Sequence, residues 1–93
     1  MAVVIIQHQV KDYDAWLPHF EAHAAVRQAA GLEGATVHRS VGDPNNVYVI
    51  INGADPADFQ SFAANPELRE LMQQAGVIGD PVFHVLDDGE QHA

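Results

Sequence analysis

The chain contains no cysteine, which removes disulfides, thiolate metal sites and a cysteine nucleophile together. Positive charge is also scarce: Lys11, Arg27, Arg39 and Arg69 stand against thirteen Asp and Glu, for a net charge of -9. Phosphate binding needs clustered cations, so nucleic acid and anionic membrane surfaces are not expected partners. No apolar run approaches the roughly 18 residues of a membrane span. The apolar start MAVVIIQHQV lacks the basic beginning and small-residue cleavage site of a secretory signal. A soluble, cytoplasmic protein is the expectation. A glycine-rich phosphate loop, a G-x-S-x-G elbow and an internal repeat are missing too, so nucleotide-dependent chemistry and triad hydrolysis have no support.

What is present fits one domain of 93 residues, with residues 87–93 an acidic, flexible tail. A monomer this small buries only about 60 to 65% of its unfolded surface, so an oligomer is expected. Residues 2–10 alternate and are rich in β-branched side chains, with Val4, Ile6, His8 and Val10 on one face and Val3, Ile5, Gln7 and Gln9 on the other. Residues 33–41 read as a second strand, Pro44 and Asn45 suit the centre of a turn, and residues 47–52 read as a third strand, apolar on both faces. Asp55 and Pro56 start a helix that Asn65 and Pro66 interrupt and restart, and Gly76 ends it. Residues 82–86 form the last strand. The order β-α-β-β-α-β defines an α+β, ferredoxin-like fold with an antiparallel four-stranded sheet and helices on one face. The other face must be covered, and a second copy is the simplest cover.

The remaining segment, residues 12–31, carries more polar groups on its inner face than a core needs. Pro18 places the regular helix start near Ala15 with Asp14 as N-cap, and Gly31 supplies the stop. At about 100° per residue, Trp16, Phe20, His23, Arg27 and Ala30 fall in one stripe. Burying an aromatic side chain contributes roughly 1.5 to 3 kcal/mol, whereas an unpaired buried guanidinium costs several. Arg27 therefore requires a carboxylate, carbonyls or a wet pocket, or must carry its head to water at the helix end.

The pattern D-Y-x-x-W-x-P-x-F-x-x-H-x-x-x-R-x-x-x-G at residues 12–31, the turn D-P-N at 43–45 and E-L-R-E-x-M-x-x-A-G-V-x-G-x-P at 67–81 resemble small dimeric α+β barrel proteins of the antibiotic-biosynthesis-monooxygenase and polyketide-cyclase-like group. That resemblance implies a homodimer whose sheets pack face to face, with a ligand cavity between helices and sheet in each subunit. It further implies a small-molecule ligand and chemistry ranging from cofactor-independent oxygenation of activated phenols to cyclisation, with no catalytic set fixed.

On this resemblance His23 and Arg27 are the first-choice catalytic residues. His23 would serve as base, and Arg27, helped by Tyr48 or Gln7, would hold a developing anion. Trp16 and Phe20 would line the site for a flat aromatic ligand, with Gln7 or His8 contributing according to which face of the first strand meets the cavity. No cofactor is expected. Metal or haem is the alternative, because His19 and His23 have the i, i+4 spacing of paired imidazole ligands and His8 could neighbour His84. A non-catalytic binding module and a purely structural dimer are the readings from other classes. Phe59, Phe62, Leu68, Leu71 and Met72, at helical spacing, read as core.

Overall fold

The computed structural model describes residues 2–32 and 34–92. Its elements are β1 (Ala2–Val10), α1 (Tyr13–Ala22), α2 (Ala24–Ala29), β2 (Gly34–Ser40), β3 (Asp43–Ala54), α3 (Pro56–Ala64), α4 (Pro66–Gln74) and β4 (Val77–Leu86). Glu33, the expected first residue of the second strand, lies outside the described residues. The strands form one antiparallel sheet in the order β2-β3-β1-β4, the ferredoxin-like arrangement that the order of elements implies.

The alternation of β1 sets the two faces. Ala2, Val4, Ile6, His8 and Val10 are buried, and the residues between them are not. Val47, Val49 and Ile51 of β3 extend the buried face, and Trp16, Leu32 and Phe59 close over it from the helical layer. On the opposite face Ile5 stands between Ile50 and His84 of the neighbouring strands. Val82 and Leu86 are 44% and 47% exposed there, so among the described residues nothing covers this apolar face.

Three local expectations are corrected. Helix α1 starts two residues earlier than the proline suggests: Asp12, in extended conformation, is the N-cap, its Oδ1 accepting from Asp14 N at 3.1 Å. Asn45 Oδ1 accepts from Tyr13 N at 3.1 Å. Two of the orphan amides of the first turn are thus satisfied by side chains, which offsets the one bond lost at Pro18 inside the helix. Second, the β2–β3 hairpin turns at Val41 and Gly42, because Ser40 pairs with Asp43. Pro44, Asn45 and Asn46 lie in β3 as a bulge between the pairs Arg39↔Val47 and Ser40↔Asp43, where the missing amide of proline breaks no ladder bond. Third, β4 begins at Val77, and its Gly79 (φ 72°) and neighbours form a bulge opposite β1 between the pairs Gln9↔Ile78 and Gln7↔Val82.

Candidate active site between the helices and the sheet

Residues 12–31 do not form one helix. In a regular helix the His19 carbonyl would accept from the His23 amide; here the His23 ring takes that carbonyl instead, Nδ1 lying 2.6 Å from His19 O. The His23 amide turns to Phe20 O at 3.3 Å, the backbone leaves helical geometry (φ −97°, ψ 12°), and α2 restarts after it. A carbonyl has no hydrogen to give, so His23 Nδ1 is the donor and, in the neutral ring, Nε2 carries the lone pair.

The break also resolves the demand of Arg27. Its Nη1 donates to Phe20 O at 2.6 Å, and its guanidinium carbon lies 3.7 Å from the centre of the Phe20 ring. The cation therefore caps the carbonyl end of α1, where the helix dipole favours it. Burial nonetheless pulls the Arg27 guanidinium below its ordinary value, and among the described residues no carboxylate pairs with it.

From Arg27 a ladder of rings runs down to the sheet. Phe20 stacks on Trp16 at 5.1 Å with an interplanar angle of 26°, and Trp16 meets His8 edge-on at 5.3 Å. This ladder forms one wall of a cavity of about 550 Å³. Ile6, His8, Val49 and Ile51 provide the floor; Phe62, Leu68, Leu71 and Met72 provide the opposite wall. His19, His23, Arg27, Asp58 and Glu67 add the titratable groups. The site is thus mostly apolar with a few convergent polar side chains, the composition of a small-molecule pocket.

The structure brings together Trp16, Phe20, His23, Arg27, His19 and His8. It does not bring Gln7 or Tyr48 to them. Both occupy the open face of the sheet, opposite each other in the β1–β3 register, and Gln7 donates to Asn46 at 2.9 Å, whose amide lies 3.5 Å from the Tyr48 hydroxyl. A strand reverses its side chains at every residue, so His8 and Gln7 cannot share a face. For the same reason His8 is not a neighbour of His84, which pairs with Ile5 on the open face. His38 turns to Thr36 at 3.0 Å, and Arg39 donates to Pro44 O at 2.8 Å and covers the Tyr13 ring, tying the β3 bulge to the start of α1.

Phe62, Leu68, Leu71 and Met72, expected as core, are only partly buried and face the cavity. Asp58, Ser61, Asn65 and Glu67 on the same helices also line it. The signal for them was the break at Asn65, whose side chain caps α4 through Glu67 N at 3.0 Å. Among the described residues no group of three or more His, Cys, Asp or Glu is placed to hold a metal ion.

Among the described residues His8 is the one polar residue in the buried core, 4% exposed, and its Nδ1 has no hydrogen-bond partner. Burial holds its imidazole below the usual value of 6.5, opposed in part by a contact with its own backbone. The unfolded chain takes up this proton near pH 6.5 while the folded chain resists it. The folded state then binds fewer protons, so stability is lost as the pH falls below 6.5 toward the lower folded value. Thermal melts should be level between about pH 8 and pH 7 and drop below about pH 6.5. His8→Leu should remove that part of the slope; equal slopes in both proteins would assign the acid sensitivity elsewhere.

An α+β sandwich of four antiparallel strands under broken helices, with an aromatic-walled cavity between the layers, is the class that fold and site define. The sequence matches no protein-family model and no curated protein. Compared by structure, the chain has the fold of antibiotic biosynthesis monooxygenases. One such monooxygenase superposes with a TM-score of 0.71 at 20% identity, over 97% of this chain and 100% of its own. A cofactor-independent oxygenase from Streptomyces nogalater superposes at 0.71 with 16% identity, over 97% of this chain and 94% of its own. A monooxygenase of Streptomyces coelicolor in complex with nanaomycin D gives 0.65 at 19% identity, over 99% and 90%. No helix among the described residues is long and apolar enough to cross a membrane.

Proposed function

We propose that the chain is a cofactor-independent oxygenase or cyclase acting on a flat aromatic or polyketide-like molecule bound in the cavity, and that it works as a homodimer. The observation that carries this reading is the pairing of a tautomer-fixed His23 with Arg27 at one end of an aromatic wall. His23 Nε2 would take an acidic proton from the substrate, and Arg27 would face the resulting anion in a setting of low dielectric, where charge stabilisation is strongest. Trp16 and Phe20 would hold the ring system flat against the ladder. An electron-rich anion of this kind can give its electrons to dioxygen directly, which is why no cofactor is required by the chemistry. The likeness to a cofactor-independent oxygenase supports the oxygenase over the cyclase.

An oxygen electrode tests this with an anthrone as substrate. Deprotonated at its methylene, the anthrone would yield the quinone and one water for each dioxygen consumed. Oxygen uptake well above the buffer rate, unchanged by a chelator, is the expected result. Conversion of a polyketide-like substrate without oxygen uptake would favour the cyclase, and no conversion of either substrate would leave a binding module.

The open sheet face supports the dimer, because Ile5, Ile50, Val82 and Leu86 would be covered by the same face of a second copy. Ile5 sits at the centre of a row between Ile50 and His84. Ile5→Lys should convert a dimer into a folded 10.1 kDa monomer in light scattering. A variant that still dimerises would move the interface to another surface.

A further inference from the structure

Both faces of the Phe20 ring are covered by the chain itself. Trp16, one turn before it, stacks at 5.1 Å with an interplanar angle of 26°, and Arg27, nearly two turns after it, sets its guanidinium carbon 3.7 Å from the ring centre. The same guanidinium donates through Nη1 to the Phe20 carbonyl at 2.6 Å, and among the described residues no carboxylate pairs with it. Ring and carbonyl of one residue thus hold the cation. Phe20 and Arg27 both line the cavity, so a flat ligand that stacks on Phe20 has to displace the guanidinium. A half-buried guanidinium cannot lose its proton, and leaving it without an acceptor is costly.

We propose that Arg27 is a gate on the aromatic wall, closed on Phe20, and that it opens to a ligand carrying a flat ring and an anionic oxygen function together. The proposal rests on the reading of the cavity as a small-molecule site and specifies how that site selects its ligand. Two exchanges occur at once: the ligand ring replaces the guanidinium on Phe20, and the ligand anion replaces the Phe20 carbonyl on Arg27. The second exchange trades a neutral acceptor for a charged one, which is the stronger partner of a guanidinium. A neutral aromatic supplies only the first and leaves the cation without its acceptor. The side-chain torsions of Arg27 allow the head to swing between staggered rotamers while α2 stays in place.

Isothermal titration and NMR on the full chain, with 2-naphthoate and its neutral isostere 2-naphthamide, test this without reference to turnover. The wild-type protein should bind the carboxylate about tenfold more tightly, the scale of one hydrogen bond to a charged group. Nuclear Overhauser contacts between the Arg27 side chain and the Phe20 ring should be present in the protein alone. On saturation with 2-naphthoate they should give way to contacts between the probe and Phe20. Arg27→Met keeps an apolar stem over the ring but no charge, and should lose the preference for the carboxylate. Contacts between Arg27 and Phe20 that persist in the 2-naphthoate complex would overturn the gate, because the probe would then lie on the outer side of the guanidinium, and the cavity reading would stand. Equal affinities in the wild type, or a preference that survives in Arg27→Met, would overturn it in the same way. If neither probe binds, the cavity reading fails and the gate falls with it.

Discussion

Replacement of His23 by Ala should reduce turnover by roughly 10² to 10⁴, the usual contribution of a positioned general base. The variant should leave the sheet and the proposed dimer intact, because His23 stands at a helix break and not in the core cluster. Its local effect is specific: without the ring, the His19 carbonyl is free to accept the backbone amide again, and α1 and α2 can join into one helix. That would also withdraw the Phe20 carbonyl from Arg27. His23→Gln separates the two effects, since a side-chain amide can hold the carbonyl but cannot take a proton at neutral pH. A role as base predicts that both variants lose turnover. Recovery in His23→Gln would assign His23 a positioning role at the helix break, and circular dichroism would register the gain of helix in His23→Ala alone.

Trp16→Ala should be the most destabilising substitution in the cavity wall. The side chain is 4% exposed and touches the rings of His8, Tyr13 and Phe20, so it joins the floor, the start of α1 and the wall in one contact set. Truncating a buried aromatic costs about 3 to 5 kcal/mol, against a total stability of about 5 to 14 kcal/mol for a chain this long. Trp16 is the chain's single tryptophan, so the loss has to be followed by circular dichroism in urea and not by fluorescence. A loss below about 1 kcal/mol would mean that the wall collapses to fill the space, and that the ladder does not set the cavity's shape. Trp16→Phe should keep most of the stability, since a ring remains between His8 and Phe20.

How much of this was legible in the sequence depends on which interaction decides each feature. The sheet was legible because strand alternation is a local pattern: the spacing alone puts Val4, Ile6, His8 and Val10 on one face of the first strand, though not which face meets the helices. The stripe from Trp16 to Arg27 was legible for the same reason. The break at His23 was not, because it arises from a side chain competing with its own backbone for the His19 carbonyl, and periodicity has no access to such competition. The helix start was missed for a related cause. Pro18 is a strong local signal, and it was outweighed by Asn45, a partner contributed from the β3 bulge. Gln7 and His8 stood as alternatives, and Tyr48 was placed on the wrong side, because a strand apolar on both faces does not declare which side meets the helices. The second cavity wall was read as core because an apolar stripe on a helix looks the same whether it meets packed side chains or an open pocket. Only the placement of α3 and α4 across from the ladder separates the two.

The central claim is that a proton taken at His23 lets a bound aromatic substrate react with dioxygen with no cofactor intervening. Turnover of an anthrone under ¹⁸O₂, with chelator-treated wild-type protein and His23→Ala side by side, tests it most directly. The predicted result is one labelled oxygen atom in the quinone from the wild-type protein, with the second leaving as water, and product formation in His23→Ala falling to the buffer rate. Quinone formed at equal rates by both proteins, or quinone whose new oxygen comes from solvent, would contradict the claim.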